Sequence, residues 1–368
     1  MKNYNILIIF CFVLFIQPGL AVNKTNPDIG VNLLLLGKKT FSKEDKEHEE
    51  HKGHEHADHE DHAGHSHSSD GFSVQELEVF FISNIDPYWS SQIYLGIHSD
   101  QGSFGLDLEE AYMESLFIPN FTFKAGKFYP FLGRHNNLHT HYYPFIDPPL
   151  INEEIFGFHG WNGTGLSLAY LTPLSWYSEI ILQAFYMPSL KLNSLSKLFG
   201  EEKHLEHKNP LATVLFFKNF WELPSNFNFE LDLSYASGMN HLKHLFDVAL
   251  VLRWESMENV KPQKVFWTTE WMKAMKDSQL GNIEGVSSYI QWQVLKNWWV
   301  EGRADYLLGK NWSDIEKQKY SFLFLFAPTE YSAIRLQYDT QVSDHGEWIH
   351  GVSIQSNVSL GVHPAHLY

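Results

Sequence analysis

The chain has 368 residues, a formal charge of −16, 15% aromatic residues and a single cysteine. The acidic balance argues against nucleic acid as a partner and favours cations instead. The lone cysteine, Cys11, excludes a small disulfide-stapled extracellular domain, so stability must come from a large core or a closed sheet.

Residues 1–21 read as a secretory signal peptide. Lys2 precedes an apolar run from Ile6 to Ile16, and small residues at Gly19 and Ala21 prepare a cleavage site before Val22. The run falls short of the ~20 residues that a membrane-spanning helix needs. An exported, acidic, aromatic-rich chain with no cysteine left after cleavage has the profile of an outer-membrane barrel. Residues 22–368 are therefore expected to form one all-β unit, a transmembrane antiparallel β-barrel in the outer membrane of a Gram-negative bacterium.

The strands carry this expectation. In "NFNFELDLSY", Phe227, Phe229, Leu231, Leu233 and Tyr235 alternate with Asn228, Glu230, Asp232 and Ser234. "FDVALVLRW" opposes Asp247 and Arg253 to Phe246, Val248, Leu250, Leu252 and Trp254, and "WWVEGRADY" places Glu301, Arg303 and Asp305 on one face. A soluble sandwich alternates too, but these segments have the ~10-residue length of tilted spanning strands. They also end in paired aromatics such as Tyr88-Trp89, Trp176-Tyr177 and Trp298-Trp299, as girdles at two interfaces require. Short turns at "NIDPY", "FIPNF", "LTPLSW", "LPSNF", "LKNWW" and "APTEY" alternate with longer or more polar connections.

Counting strands from Phe72 gives an odd number, which would close the barrel in parallel. Taking "DIGVNLLLLG", Asp28 to Gly37, as a first strand makes about 16, although its four leucines do not alternate. Residues 38–71 then become an outer loop, expected to be disordered. Residues 131–160 become the third outer loop, the one placed to constrict a pore.

At "LEEAYMESLFIPNFTFKAGKFYPFLGRHN", Leu108 to Asn136, the chain resembles outer-membrane porins of the phosphate-selective type. With "QELEVFFISNIDPYWSSQIYLGI", "FIDPPLINEEIFG", "GTGLSLAYLTPLSWY" and "LGVHPAHLY", it more closely resembles a group of His-rich, porin-like bacterial outer-membrane proteins described as zinc-related or zinc-regulated. The resemblance implies a non-enzymatic channel for small solutes, embedded in outer-membrane lipid. The terminal Tyr368 would be read by the barrel assembly machinery, and porins being trimers, a homotrimer is the assembly to look for. Anion selectivity is not carried over. Glu230, Asp232, Asp247, Glu301 and Asp305, with few cations such as Arg303, are expected to line a cation-preferring pore.

The tract from Glu47 to Phe72 holds His48, His51, His54, His56, His59, His62, His65 and His67 among carboxylates. Imidazole suits Zn, Cu and Ni, so loosely bound divalent metal, with zinc favoured by the resemblance, is the expected cofactor. "RHNNLHTH" adds Arg134, His135, His139 and His141, with Asp147 beyond, as a candidate constriction or ion site. A soluble periplasmic all-β metal-binding protein and a non-conducting outer-membrane metal sensor are the alternatives. No nucleophile elbow or paired-cysteine site points to an enzyme.

Overall fold

A computed structural model describes residues 27–41, 70–100, 103–186, 211–239, 242–256, 263–276, 281–310, 316–342 and 346–362. Residues 1–21, expected to be a signal peptide, the eight tract histidines from His48 to His67, and Tyr368 lie outside the described residues. Sixteen strands close into one antiparallel barrel in which each strand pairs with its sequence neighbours. They are β1 (Asp28–Phe41), β2 (Gly71–Asn84), β3 (Trp89–Asp100), β4 (Ser103–Ser115), β5 (Phe121–Phe128), β6 (Gly163–Leu171), β7 (Tyr177–Tyr186) and β8 (Leu211–Leu223), followed by β9 (Phe227–Met239), β10 (Leu242–Glu255), β11 (Lys264–Lys276), β12 (Asn282–Leu295), β13 (Trp298–Lys310), β14 (Glu316–Thr329), β15 (Ser332–Val342) and β16 (Trp348–Gly361).

Closure is made by β1 against β16, from Gly30 opposite Gly361 to Phe41 opposite His350. This strand runs four residues past Gly37, so the loop bounds expected at 38 and 71 both fall within strands. Lys38 to Phe41 pair with β16, and Gly71 already belongs to β2. Asp70 then bridges the two strands: it accepts from Lys39 Nζ and from the Thr40 backbone N–H, each at 2.8 Å.

Along each strand the side chains alternate between two environments, with a polarity opposite to that of a soluble protein. Leu182, Ile290, Phe322 and Ile334 point outward and are between 50% and 55% exposed, whereas Gln183, Ser287, Ser321 and Gln337 point inward and are at most 5% exposed. A continuous apolar exterior of this extent suits hydrocarbon, not water. Aromatic rings gather where the short turns lie, among them Trp89, Phe117 and Phe123, and the stack of Trp176, Trp221 and Phe229.

The leucines of β1 do alternate. Leu34 and Leu36 are buried inside the barrel while Leu35 is exposed outside. Apolar residues on an inner wall need cover, which comes from the connection between β5 and β6. Residues 129–162 turn into the lumen and carry a short helix, α1 (Leu150–Phe156). Leu132, Ile151, Ile155 and Trp161 pack on Phe185, Val214, Leu245, Met272 and Leu307 of the wall. Phe145 and Ile146 join a second cluster with Leu36, Trp299, Leu323 and Leu325.

Candidate functional site

The inward loop and the wall facing it form the site. Arg134 extends its guanidinium to Glu230 and to Asp232 of β9, the latter at 2.6 Å, while its backbone N–H donates to Glu270 at 3.1 Å. Just before it, Gly133 has φ +65°, and a Cβ there would lie 2.0 Å from Glu270 Oε1. Its N–H donates to Ser234 Oγ, which in turn donates to Asp247. Only glycine combines the left-handed backbone with so close an approach. Gly133→Ala is therefore expected to destabilise the protein by about 1–3 kcal/mol, read as a lower Cm in equilibrium denaturation of the detergent-purified protein.

A second anchor centres on Asp147. Arg303 donates to its Oδ2 at 2.7 Å and to its backbone carbonyl at 2.8 Å, Lys319 reaches the same carboxylate, and Gln337 donates to Oδ1. Burial opposes the charge of Asp147, but Arg303 and Lys319 hold its carboxyl well below the usual carboxylate range. Arg303 also meets Asp305 at 3.0 Å and lies over the Phe145 ring. Arg335 donates to the backbone carbonyls of Tyr143 and Pro144.

The third anchor is His139. Its Nδ1 lies 2.8 Å from Glu78 and 3.0 Å from Glu109, and its Nε2 lies 3.1 Å from Glu110. Burial would lower its pKa, but the surrounding carboxylates, Glu78 first, hold it well above the ordinary histidine range, so the ring is an imidazolium donating from both nitrogens. Tyr94 stacks on it with ring centroids 4.4 Å apart. Two β-bulges create this acid pocket. Gln75 is skipped in the pairing of β1 with β2, and Glu109 in that of β3 with β4. Each bulge turns two successive side chains inward, Gln75 with Glu76 and Glu109 with Glu110.

Of the residues singled out in the sequence, His139 and His141 share Glu78, with His141 Nδ1 at 3.4 Å from it. His135 stands apart, its ring against Tyr143, and burial followed by the charge of Arg303 lowers its pKa to about 3. Glu230, Asp232, Asp247, Glu301, Arg303 and Asp305 are all on the inner face and at most 4% exposed. Several of them are counter-charges to the loop rather than walls of open water. Sequence reasoning missed Glu76, Glu78, Glu110, His98 and His159. The adjacent polar pairs Gln75-Glu76 and Glu109-Glu110, which break the period of two, are the signal that marks the bulges.

At the short-turn end, Arg134, Lys218 and Arg253 converge on Glu230 around a cavity of about 990 Å³ that also has Trp176 and Trp221 in its lining.

The fold is shared with known proteins. The outer-membrane channel DcaP of Acinetobacter baumannii superposes with a TM-score of 0.53 at 11% identity, covering 91% of this chain and 98% of that one. The chain has the porin fold. An anion-selective porin from Comamonas acidovorans matches this porin fold with a TM-score of 0.53, 10% identity, and 91% and 98% coverage. OmpT of Vibrio cholerae, in its trimer form, matches with a TM-score of 0.50, 7% identity, and 92% and 100% coverage. In sequence, an uncharacterized protein of Aquifex aeolicus (strain VF5) is 25% identical over 336 residues, which span 80% of this chain and 70% of that protein. No family model matches the chain.

Proposed function

We propose that this protein is an outer-membrane channel for small solutes whose passage is narrowed by residues 129–162, and that it prefers cations. The observation that carries the reading is a closed sixteen-stranded barrel, apolar outside and polar inside, with a loop drawn into its lumen. Among the described residues, buried carboxylates outnumber buried cations on the inner wall, and the acid-rich pocket of Glu78, Glu109 and Glu110 sits on the loop's path. The neighbours described as a channel and as a porin support conduction, and the trimer form of OmpT supports a homotrimer. In a planar bilayer, the purified protein is expected to give discrete single-channel currents and, under a KCl gradient, a reversal potential of cation-selective sign.

A second reading is favoured by one feature. The loop's anchors touch β1, β2, β4, β9, β11, β13, β14, β15 and β16, so it is held around most of the circumference. A barrel so filled would be closed at rest, and an absence of current in the native protein alongside current in loop-loosened variants would select it.

The tract of eight histidines we read as a divalent-metal collector joined to β1 and β2, with zinc as the favoured ion. Deleting residues 44–67 is expected to remove most of the weak, multi-site zinc binding seen by equilibrium dialysis, and retention of that binding would end this reading.

A further inference from the structure

Beside the loop's anchors, Glu76, His98 and His159 form a group of their own in the lumen. Each offers one ligand atom, and these atoms all lie within 4.8 Å of one another. Neither carboxylate oxygen of Glu76 meets a donor in hydrogen-bond geometry, although the residue is 1% exposed and the Thr140 hydroxyl is nearby. His98 has the same property at Nδ1, while its Nε2 faces Glu109 Oε1 at 3.3 Å. The rings of His98 and His159 approach to 4.1 Å between centroids.

We propose that Glu76, His98 and His159 bind one divalent transition-metal ion. A buried carboxylate without donors is costly to keep ionised, and a bound cation removes that cost. Two imidazoles and one carboxylate make a borderline donor set that takes Zn, Cu, Co or Ni in preference to Ca or Mg. Glu109 stands to His98 as a carboxylate stands to a metal-bound imidazole, fixing ring orientation and leaving Nδ1 for the ion. Gly96 makes this arrangement possible. A Cβ at that position would lie 2.1 Å from Glu109 Oε1 and 2.7 Å from His98 Nε2. The neighbouring group of Glu78, Glu109 and His139 is a poorer ion site, because both ring nitrogens of His139 already face carboxylates.

The ion would join the loop, through His159, to β2 and β3. Its place is toward the long-loop end of the wall, with His98 and His159 half-buried and so open to entry from the lumen.

The test uses the full-length chain in detergent with the eight histidines from His48 to His67 replaced by asparagine, so that only the barrel's own sites remain. Calorimetric titration with Co(II) is expected to show one saturable site per chain that millimolar Ca(II) and Mg(II) do not displace. Glu76→Gln and His98→Asn should each weaken it at least tenfold, whereas His135→Asn should not. Unchanged binding in both ligand variants, or equal loss in His135→Asn, overturns the assignment. Should the ligand variants fail to fold, the Cu(II) electron paramagnetic resonance spectrum of the parent decides. Coupling to two imidazole nitrogens is expected, and coupling to none or one overturns the site. None of these readouts depends on whether the barrel conducts.

Discussion

Asp147→Asn is expected to free the inward loop, raising single-channel conductance several-fold and lowering stability by about 3–5 kcal/mol, the cost of breaking a buried ion pair from one side. The carboxylate is where Arg303, Lys319 and Gln337 converge. Without its charge, two cations remain side by side on the wall. Arg303 keeps Asp305, but Lys319, 9% exposed, loses its close partner. The double variant with Arg303→Met should recover part of the stability, because removing both partners of a buried pair costs far less than removing one. It should not restore the low conductance, since the loop stays untied. The sign with pH follows from the depressed pKa of Asp147. Its contribution is complete above the ordinary aspartate value of about 3.9 and is lost only as the pH falls through the lower value in the folded protein. Native conductance is thus expected to be flat from about pH 8 to pH 5 with respect to this anchor. Unchanged currents and an unchanged denaturation midpoint in Asp147→Asn would show that the anchors at Arg134 and His139 hold the loop without Asp147.

The barrel itself was legible because its signal is redundant. Period-two alternation in "FELDLSY" and "VEGRADY" placed Glu230, Asp232, Glu301, Arg303 and Asp305 on one face, and all five point inward. Parity supplied the remaining strand: an even number was needed for antiparallel closure, and β1 pairs with β16 as that demands. The apparent defect in "NLLLLG" has a tertiary cause, since Leu36 packs under Phe145 and Ile146 of the loop. Such cover comes from residues more than a hundred positions away, and no local pattern announces it.

The chemistry of the lumen was less legible for the same reason. "RHNNLHTH" suggested one cluster of three histidines, yet the loop's turn sends His135 toward Tyr143 and only His139 and His141 toward Glu78. Their partners Glu78, Glu109 and Glu110, and the Glu76, His98 and His159 group, depend on two one-residue bulges, at Gln75 in β2 and at Glu109 in β4. Counting charges by strand parity treats every inward acid as lining water. Here Glu230 and Asp232 neutralise Arg134, and Asp305 accompanies Arg303, so what a permeating ion meets is set by the residual charge around the loop.

Leu182→Arg is expected to cost about 2–4 kcal/mol in refolding measured in phospholipid vesicles, whereas Tyr186→Arg should cost no more than about 1 kcal/mol. Both residues face outward on β7 and are more than half exposed, so in a water-soluble barrel either arginine would be nearly neutral. In a bilayer the two differ by depth. Leu182 lies mid-strand between Ile180 and Ala184 and is paired with Leu168 and Leu215 on the flanking strands, while Tyr186 ends the strand at the rim, where an arginine can reach headgroups and water. The inward neighbour Gln183 is 1% exposed and accepts from the Phe131 N–H, so its environment is unchanged by either substitution. A graded penalty, large at mid-strand and small at the rim, requires hydrocarbon around the barrel. Equal and small effects at both positions, with the protein remaining soluble without detergent, would instead make this apolar belt an interface between proteins and remove the membrane from the proposed function.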